Sequence, residues 1–177
     1  MAIVKDIFTP LPHPDDPAAI YLRVLCLVFH GERVLLIFQP GSSGAGWWNF
    51  PGGRVERGED PLDTAQRELF EETGLRADLE FRGVATTIVR STGEHWSMFL
   101  FAARVDRADI VPSSEGPLRW AAPAELEALP VFPDAPYLLK HLRDLSGGVV
   151  LAKFIYAERD PGSLEVASIR ISVYGRR

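Results

Sequence analysis

Residues 53–75 read GRVERGEDPLDTAQRELFEETGL. The second half of this stretch has the marks of a helix running from Asp60 to Thr73. Asp60 suits the N-cap, Pro61 fits the first helical position, and Gly74 stands where a C-terminal cap belongs. Leu62, Ala65, Leu69 and Thr73 fall on one stripe at helical spacing, which can anchor the helix to a sheet. Glu68, Glu71 and Glu72 stand at i, i+3 and i+4. Like charges this close destabilise a bare helix by roughly 0.2–0.5 kcal/mol per pair, so something should offset them. A hard cation is the natural candidate, because Mg²⁺ and Mn²⁺ prefer oxygen ligands. Gly52 and Gly53 let the backbone come close enough to add a carbonyl. The blander reading is that an acidic helix face of this kind is simply solvated.

Outward from this stretch, apolar runs and turn residues outline the remaining elements. Residues 20–30 and 33–39 are β-rich and flank Gly31-Glu32, which reads as a β-hairpin. Residues 40–46 form a Gly/Ser loop, followed at once by Trp47, Trp48 and Phe50. Residues 77–90 and 95–105 look like two further strands, and 118–121 a short one. Residues 123–129 and 135–145 look like helices. Residues 149–157 and 164–174 form a final hairpin turned at residues 160–163. The expected organisation is an extended, Pro-rich arm over residues 1–19, an α/β domain over 20–147, and a C-terminal hairpin over 148–177. That hairpin either belongs to the same domain or supplies a homodimer contact, since an edge strand needs covering.

The 177-residue chain is 46% hydrophobic and 24% charged, an ordinary globular composition with enough length for one sizeable core. Its net charge of −5 argues against a general nucleic-acid binder, which needs a basic footprint. An acidic site can still hold phosphate if a divalent cation bridges the two. The apolar runs are far too short to span a bilayer, and no secretory signal is visible, so a cytoplasmic location and no membrane partner are the expectation. The single cysteine, Cys26, lies inside an apolar run and reads as a small core residue. His13, His30 and His141 have no metal-ligand spacing.

The quoted stretch resembles the Nudix box, G-x5-E-x7-R-E-U-x-E-E-x-G-U, where U is a bulky apolar residue. Every fixed position matches: Gly53, Glu59, Arg67, Glu68, Leu69, Glu71, Glu72, Gly74 and Leu75. The seven polar or glycine positions would match by chance on the order of once in 10⁸ windows. The preceding residues Trp48 to Gly52 also look like the usual approach to this box.

The resemblance implies an α/β fold, a mixed β-sheet α/β/α sandwich with a loop-helix-loop catalytic motif, here carrying the additional C-terminal hairpin. It implies Mg²⁺, or Mn²⁺ in its place, held by Glu68, Glu71, Glu72 and the Gly52 carbonyl, with Glu71 and Glu72 as the central pair. Arg67 would orient Glu59 or Glu68, and Glu59 would assist the metal or the loop-to-helix turn. The implied reaction is hydrolysis of a phosphoanhydride bond in a nucleoside diphosphate linked to another moiety. The box does not name the general base. Glu72 can act through bound water, Glu115 is the candidate outside the box, and Glu94 and His95 are weaker ones.

Arg23, Arg90, Trp48 and Phe50 are the candidate contacts to a small nucleotide-type substrate: the arginines to phosphate or ribose, the aromatic rings to a base. Arg33 and Trp47 are further options, whereas Trp96 reads as core. Packing and solvation are the competing readings for each. Residues 76–111 lack the proline or tyrosine that often marks members acting on ADP-ribose or dinucleoside polyphosphates, and the NADH-type marker is absent too. A nucleoside triphosphate, such as an oxidised one, is the default. Two alternatives come from other classes. A non-catalytic nucleotide sensor usually loses box glutamates, all of which are kept here. A prenyl-diphosphate isomerase needs a reactive cysteine in the pocket, which would have to be Cys26.

Overall fold

The computed structural model describes residues 19–40, 46–111, 114–160 and 163–175. Nearly all of the expected N-terminal arm, the interior of the Gly/Ser loop and the tip of the final hairpin lie outside the described residues. Eight strands form one mixed sheet. In chain order they are β1 (Ile20–His30), β2 (Arg33–Pro40), β3 (Gly46–Asn49), β4 (Glu80–Val89), β5 (His95–Arg104), β6 (Leu118–Ala121), β7 (Val149–Asp160) and β8 (Ser163–Tyr174). The helices are α1 (Pro61–Thr73) and α2 (Ala135–Leu142), with a 3-10 turn at Pro123–Glu127. The strand order is β3-β2-β1-β5-β4-β7-β8, with β6 also on β2.

Strand β1 is central and buried on both faces, and its alternation divides the core. Val24, Cys26 and Val28 pack toward Ala65 and Leu69 of α1. Leu25, Leu27 and Phe29 pack toward Leu138, Leu139 and Leu142 of α2. Helices therefore cover both faces, as the α/β/α expectation has it. β1 runs parallel to β5 and antiparallel to β2. β7 runs parallel to β4 and carries β8 antiparallel beside it, so the C-terminal hairpin widens the same sheet. The guanidinium of Arg82, on β4, secures this junction from a site only 4% exposed. It donates to the carbonyls of Asp144, Leu145 and Gly147, in the loop between α2 and β7.

Helix α1 starts and stops where the sequence expects. Asp60 accepts from the N–H groups of Leu62 and Asp63 at 2.8 and 2.9 Å. Gly74 closes the other end at φ 72° with its N–H on the Phe70 carbonyl. The buried stripe differs in one member. Leu62 is exposed, while Thr64, Ala65, Leu69, Glu72 and Thr73 are buried. Leu62, at the very start of the helix, stays in solvent, while Ala65 and Leu69 face β1 and Glu72 is buried beside Gly52.

Three other boundaries move. The expected helix at 123–129 is a 3-10 turn, and α2 ends at Leu142 rather than 145. Trp47 and Trp48, read as part of a loop approach, form strand β3, which pairs with β2. Its other edge is taken by the chain around Pro130 and Phe132, bonded to the Trp48 backbone. Among the described residues, no helix is long and apolar enough to cross a membrane.

Candidate active site

The loop before α1 lies along β1. The N–H of Val24 donates to the Gly53 carbonyl at 2.9 Å, that of Cys26 to Pro51 at 2.7 Å, and that of Val55 to Leu22 at 3.1 Å. A Cβ on Gly52 would fall 2.1 Å from the Val24 carbonyl oxygen, and one on Gly53 would fall 2.0 Å from Glu68 Oε1. Glycine at both positions is what lets loop, strand and helix meet this closely.

At that meeting point the Gly52 N–H donates to Glu72 Oε2 at 2.8 Å. Glu68, Glu72 and Glu115 each offer a carboxylate oxygen, and these oxygens lie within 4.8 Å of one another. Glu115 comes from the turn before β6 and is exposed, whereas Glu72 is buried. Burial pushes the Glu72 carboxyl up to about 8. The Gly52 N–H pulls it back, while the charges of Glu68 and Glu115 add to the rise. Burial also raises Glu68, against the pull of Arg67. Buried like charges with a preference for holding a proton are arranged as a divalent cation would need them. The donors are hard oxygens, which fits Mg²⁺ or Mn²⁺.

Arg67 organises the helix face beside this cluster. Its Nε and Nη2 grip the two oxygens of Glu59 at 2.7 and 2.9 Å. Its Nη1 reaches Glu68 at 2.9 Å and Glu71 at 3.1 Å. Glu59 also accepts from the Thr64 hydroxyl at 2.8 Å. Arg67 first, then Thr64, draw the Glu59 carboxyl down to about 2. Glu71 is about half exposed and stands outside the Glu68–Glu72–Glu115 trio. It pairs with Arg67, while the carboxylate oxygens that the fold brings together are those of Glu68, Glu72 and Glu115.

A narrow cleft opens next to the trio on the α2 side of the sheet. Gly52 belongs to both features. Arg23, Asn49, Trp96, Phe132, Asp134 and Tyr156 line the cleft as well. Burial lowers the Arg23 guanidinium, helped by nearby Arg54 and opposed by Glu68, Glu72 and Glu94. Arg23 thus lines the cleft and lies within electrostatic reach of Glu68 and Glu72.

The other expected substrate contacts lie elsewhere. Phe50 is fully buried in the core and cannot reach a base. The reason is the turn at Asn49, whose side chain accepts the Phe50 N–H at 2.9 Å and leaves the ring pointing inward. Trp48 packs edge-to-face on Phe38, with ring centroids 5.4 Å apart, and does not line the cleft. Arg90 is exposed just beyond β4, and its backbone N–H donates to the Tyr156 carbonyl. Conversely Trp96, read as core, is half-buried in the cleft wall. Glu94 edges a groove with Tyr21, Arg23, Arg54 and Trp96. His95 lies in a different groove, among Val84, Ile88 and Leu151. Asp134 and Tyr156 had no motif to flag them. Asp134 looks like a helix cap, and Tyr156 looks like any strand aromatic.

Cys26 is fully buried between β1 and α1, and its thiol points to the Ala65 carbonyl. Burial and the nearby glutamates push the thiol well above its usual range, which removes the basis for a cysteine-dependent isomerase.

Comparison with known proteins agrees with this geometry. The NUDIX domain family matches residues 21–142. An uncharacterised Nudix hydrolase, YvcI of Bacillus subtilis, is 34% identical over 120 residues, covering 64% of this chain and 73% of that protein. A Mycobacterium tuberculosis protein, provisionally named 8-oxo-dGTP diphosphatase 3, is 33% identical over 147 residues. That match covers 80% of this chain and 62% of the relative, so the chain spans less than two thirds of that protein's length. Among solved structures, the mutator MutT protein from Bacillus halodurans superposes with a TM-score of 0.70 at 29% identity, covering 85% of this chain and 97% of that one. Sequence match and fold converge, and the chain belongs to the NUDIX domain family.

Proposed function

We propose that this enzyme hydrolyses a nucleoside triphosphate with Mg²⁺, releasing a nucleoside monophosphate and pyrophosphate. The observation that carries the reading is the meeting of the Glu68, Glu72 and Glu115 carboxylates beside Gly52, which lines a cleft together with Arg23 and Trp96. Glu68 and Glu72 would hold the metal, with the Gly52 carbonyl and Glu71 available as the phosphates arrive. When bound, the ion neutralises phosphate charge and makes water more acidic.

The chain's own groups then have distinct tasks. Arg67 keeps Glu68 oriented and Glu59 fixed against the loop. Arg23 steers the phosphate chain from the cleft toward the trio. Water adds at one phosphorus and the bridging P–O bond breaks. Glu115, the exposed member of the trio, accepts the proton that water gives up. The aromatic walls Trp96 and Phe132 suit a flat ring. The Mycobacterium relative's name points to oxidised purine nucleotides, which makes 8-oxo-dGTP the first substrate to try.

The test is a release assay with Mg²⁺ or Mn²⁺ over nucleoside triphosphates, 8-oxo-dGTP, ADP-ribose, dinucleoside polyphosphates and NADH. Glu72→Gln serves as the control. Metal-dependent turnover of triphosphates, lost in the variant, is the expected result. Turnover of ADP-ribose or dinucleoside polyphosphates alone would overturn the triphosphate assignment. No turnover of any of them would overturn the hydrolase reading.

A further inference from the structure

The two faces of the sheet are not covered evenly. Beneath α1 the core draws on β1, β2 and the end of β5, and no described residue of β4, β7 or β8 joins it. On that side the last three strands instead line an open groove. Val84, Thr86 and Ile88 line it from β4, and Leu151 and Lys153 from β7. Arg170, Ser172 and Tyr174 line it from β8. His95 faces the groove, whereas Trp96, next in the chain, lines the catalytic cleft. Successive strand residues point to opposite faces, so groove and cleft lie on opposite sides of the sheet.

The chemistry of this groove is out of character for the chain. The sequence carries 24 acidic residues against 19 lysines and arginines, yet no described acidic residue lines the groove. Lys153 and Arg170 stand directly opposite each other on β7 and β8. Like charges in that relation destabilise a strand pair, so an anion between them would turn a cost into a gain. Beside this pair, β8 presents three different groups to one face at every second residue. Arg170 is a cation, Ser172 a hydroxyl and Tyr174 an aromatic ring that is 56% exposed. At about 3.3 Å per residue the first and last stand roughly 13 Å apart. Leu151, opposite Ser172 and 46% exposed, adds an apolar surface midway. Cation, hydroxyl and ring follow the order of phosphate, sugar and base.

We infer that the groove on β4, β7 and β8 is a second binding site, separate from the catalytic cleft, for a nucleoside di- or triphosphate: its phosphates lie between Lys153 and Arg170, its ribose beside Ser172 and its base against Tyr174. Arginine suits the phosphates because its planar fork can donate two parallel hydrogen bonds. A tyrosine face accepts any base, so the site discriminates by phosphate number more than by base. The inference does not rest on the hydrolase reading, since this site needs neither the carboxylate trio nor a metal.

The experiment titrates the full chain, nitrogen-15 labelled and kept in chelator, with ATP, inorganic triphosphate and adenosine. ATP should shift the amides of residues 84–88, 151–155 and 170–174. Arg170→Glu and Lys153→Gln should each weaken ATP at least tenfold, the weight of a lost charge-assisted hydrogen bond. Tyr174→Ala should weaken it about tenfold while leaving inorganic triphosphate unchanged. Glu72→Gln, at the other site, should bind ATP here as the wild type does. Arg170→Glu should melt no lower than the wild type, because it makes an opposite-charge pair with Lys153. ATP that shifts only amides of the cleft, or binds equally well to Arg170→Glu, would overturn the inference. So would inorganic triphosphate binding as tightly as ATP, which would make the groove a general anion patch.

Discussion

The backbone N–H of Gly52 donates to the carboxylate of Glu72 at 2.8 Å, joining the loop along β1 to the last turn of α1. That bond opposes the rise in the Glu72 carboxyl caused by burial and two like-charged neighbours, without cancelling it. Replacing Glu72 by glutamine should lower kcat/KM by roughly 10²–10⁴-fold, the range expected when a directly acting carboxylate is lost. The metal-free fold should survive, since an uncharged amide can still accept from Gly52. Kinetics and thermal melting of the same preparation check both halves. A variant that keeps its activity would remove Glu72 from the site.

Metal binding should be linked to proton release. Glu72 holds its proton up to about pH 8 in the metal-free protein, against an ordinary value of 4.5. A cation has to displace that proton. Affinity for Mg²⁺ should therefore rise with pH through 6–8 and level off above it. Calorimetric titration in two buffers of different ionisation heat should show protons released at pH 7 and far fewer at pH 9. The same shift sets the pH dependence of folding. Between 4.5 and about 8 the native state binds the proton and the unfolded state does not, so the Glu72 contribution makes the metal-free protein less stable as pH rises. Saturating Mg²⁺ should abolish that slope, which melting curves with and without chelator will show.

Arg67 is the hub of Glu59, Glu68 and Glu71, and its bidentate grip on Glu59 needs a planar fork. Arg67→Lys keeps the charge and loses the fork. Activity should fall about ten- to a hundredfold, the usual cost of disturbing a group that orients a metal ligand. The melting temperature should change little, because these pairs lie near the surface. Equal activity in Arg67→Lys would show that charge alone suffices.

How much of this was legible in the sequence depends on whether the information was local. Asp60, Pro61 and Gly74 act within α1 itself, so the helix ends could be read from neighbouring residues. The glutamate spacing and the β1–β2 hairpin were readable for the same reason. Phe50, Trp48 and Trp96 could not be sorted by type, because all three are aromatic and only the sheet decides which ring faces the core. Asp134 carried no signal at all, because nothing local marks the aspartate before α2 as a residue of the cleft wall. Glu115 lay between these cases. It was singled out by its place before Leu118-Arg119-Trp120, but its meeting with Glu68 and Glu72 depends on β6 pairing with β2.

The last prediction concerns Arg82, whose guanidinium spans three carbonyls in the loop that leads from α2 into β7. Hydrogen bonds from a charged donor are worth more than neutral ones, and truncation would remove three of them at once from a buried guanidinium. Arg82→Ala should cost on the order of 3 kcal/mol. The loss should not spread evenly. The loop connects the helix that begins at Asp134 with the strand that carries Tyr156, so the cleft wall should loosen before the carboxylate trio does. Hydrogen exchange should speed up first at residues 143–157, while the α1 amides keep their protection. KM should rise more than kcat falls. Uniform loss of protection across both regions would mean that Arg82 supports the whole sheet rather than this wall of the cleft.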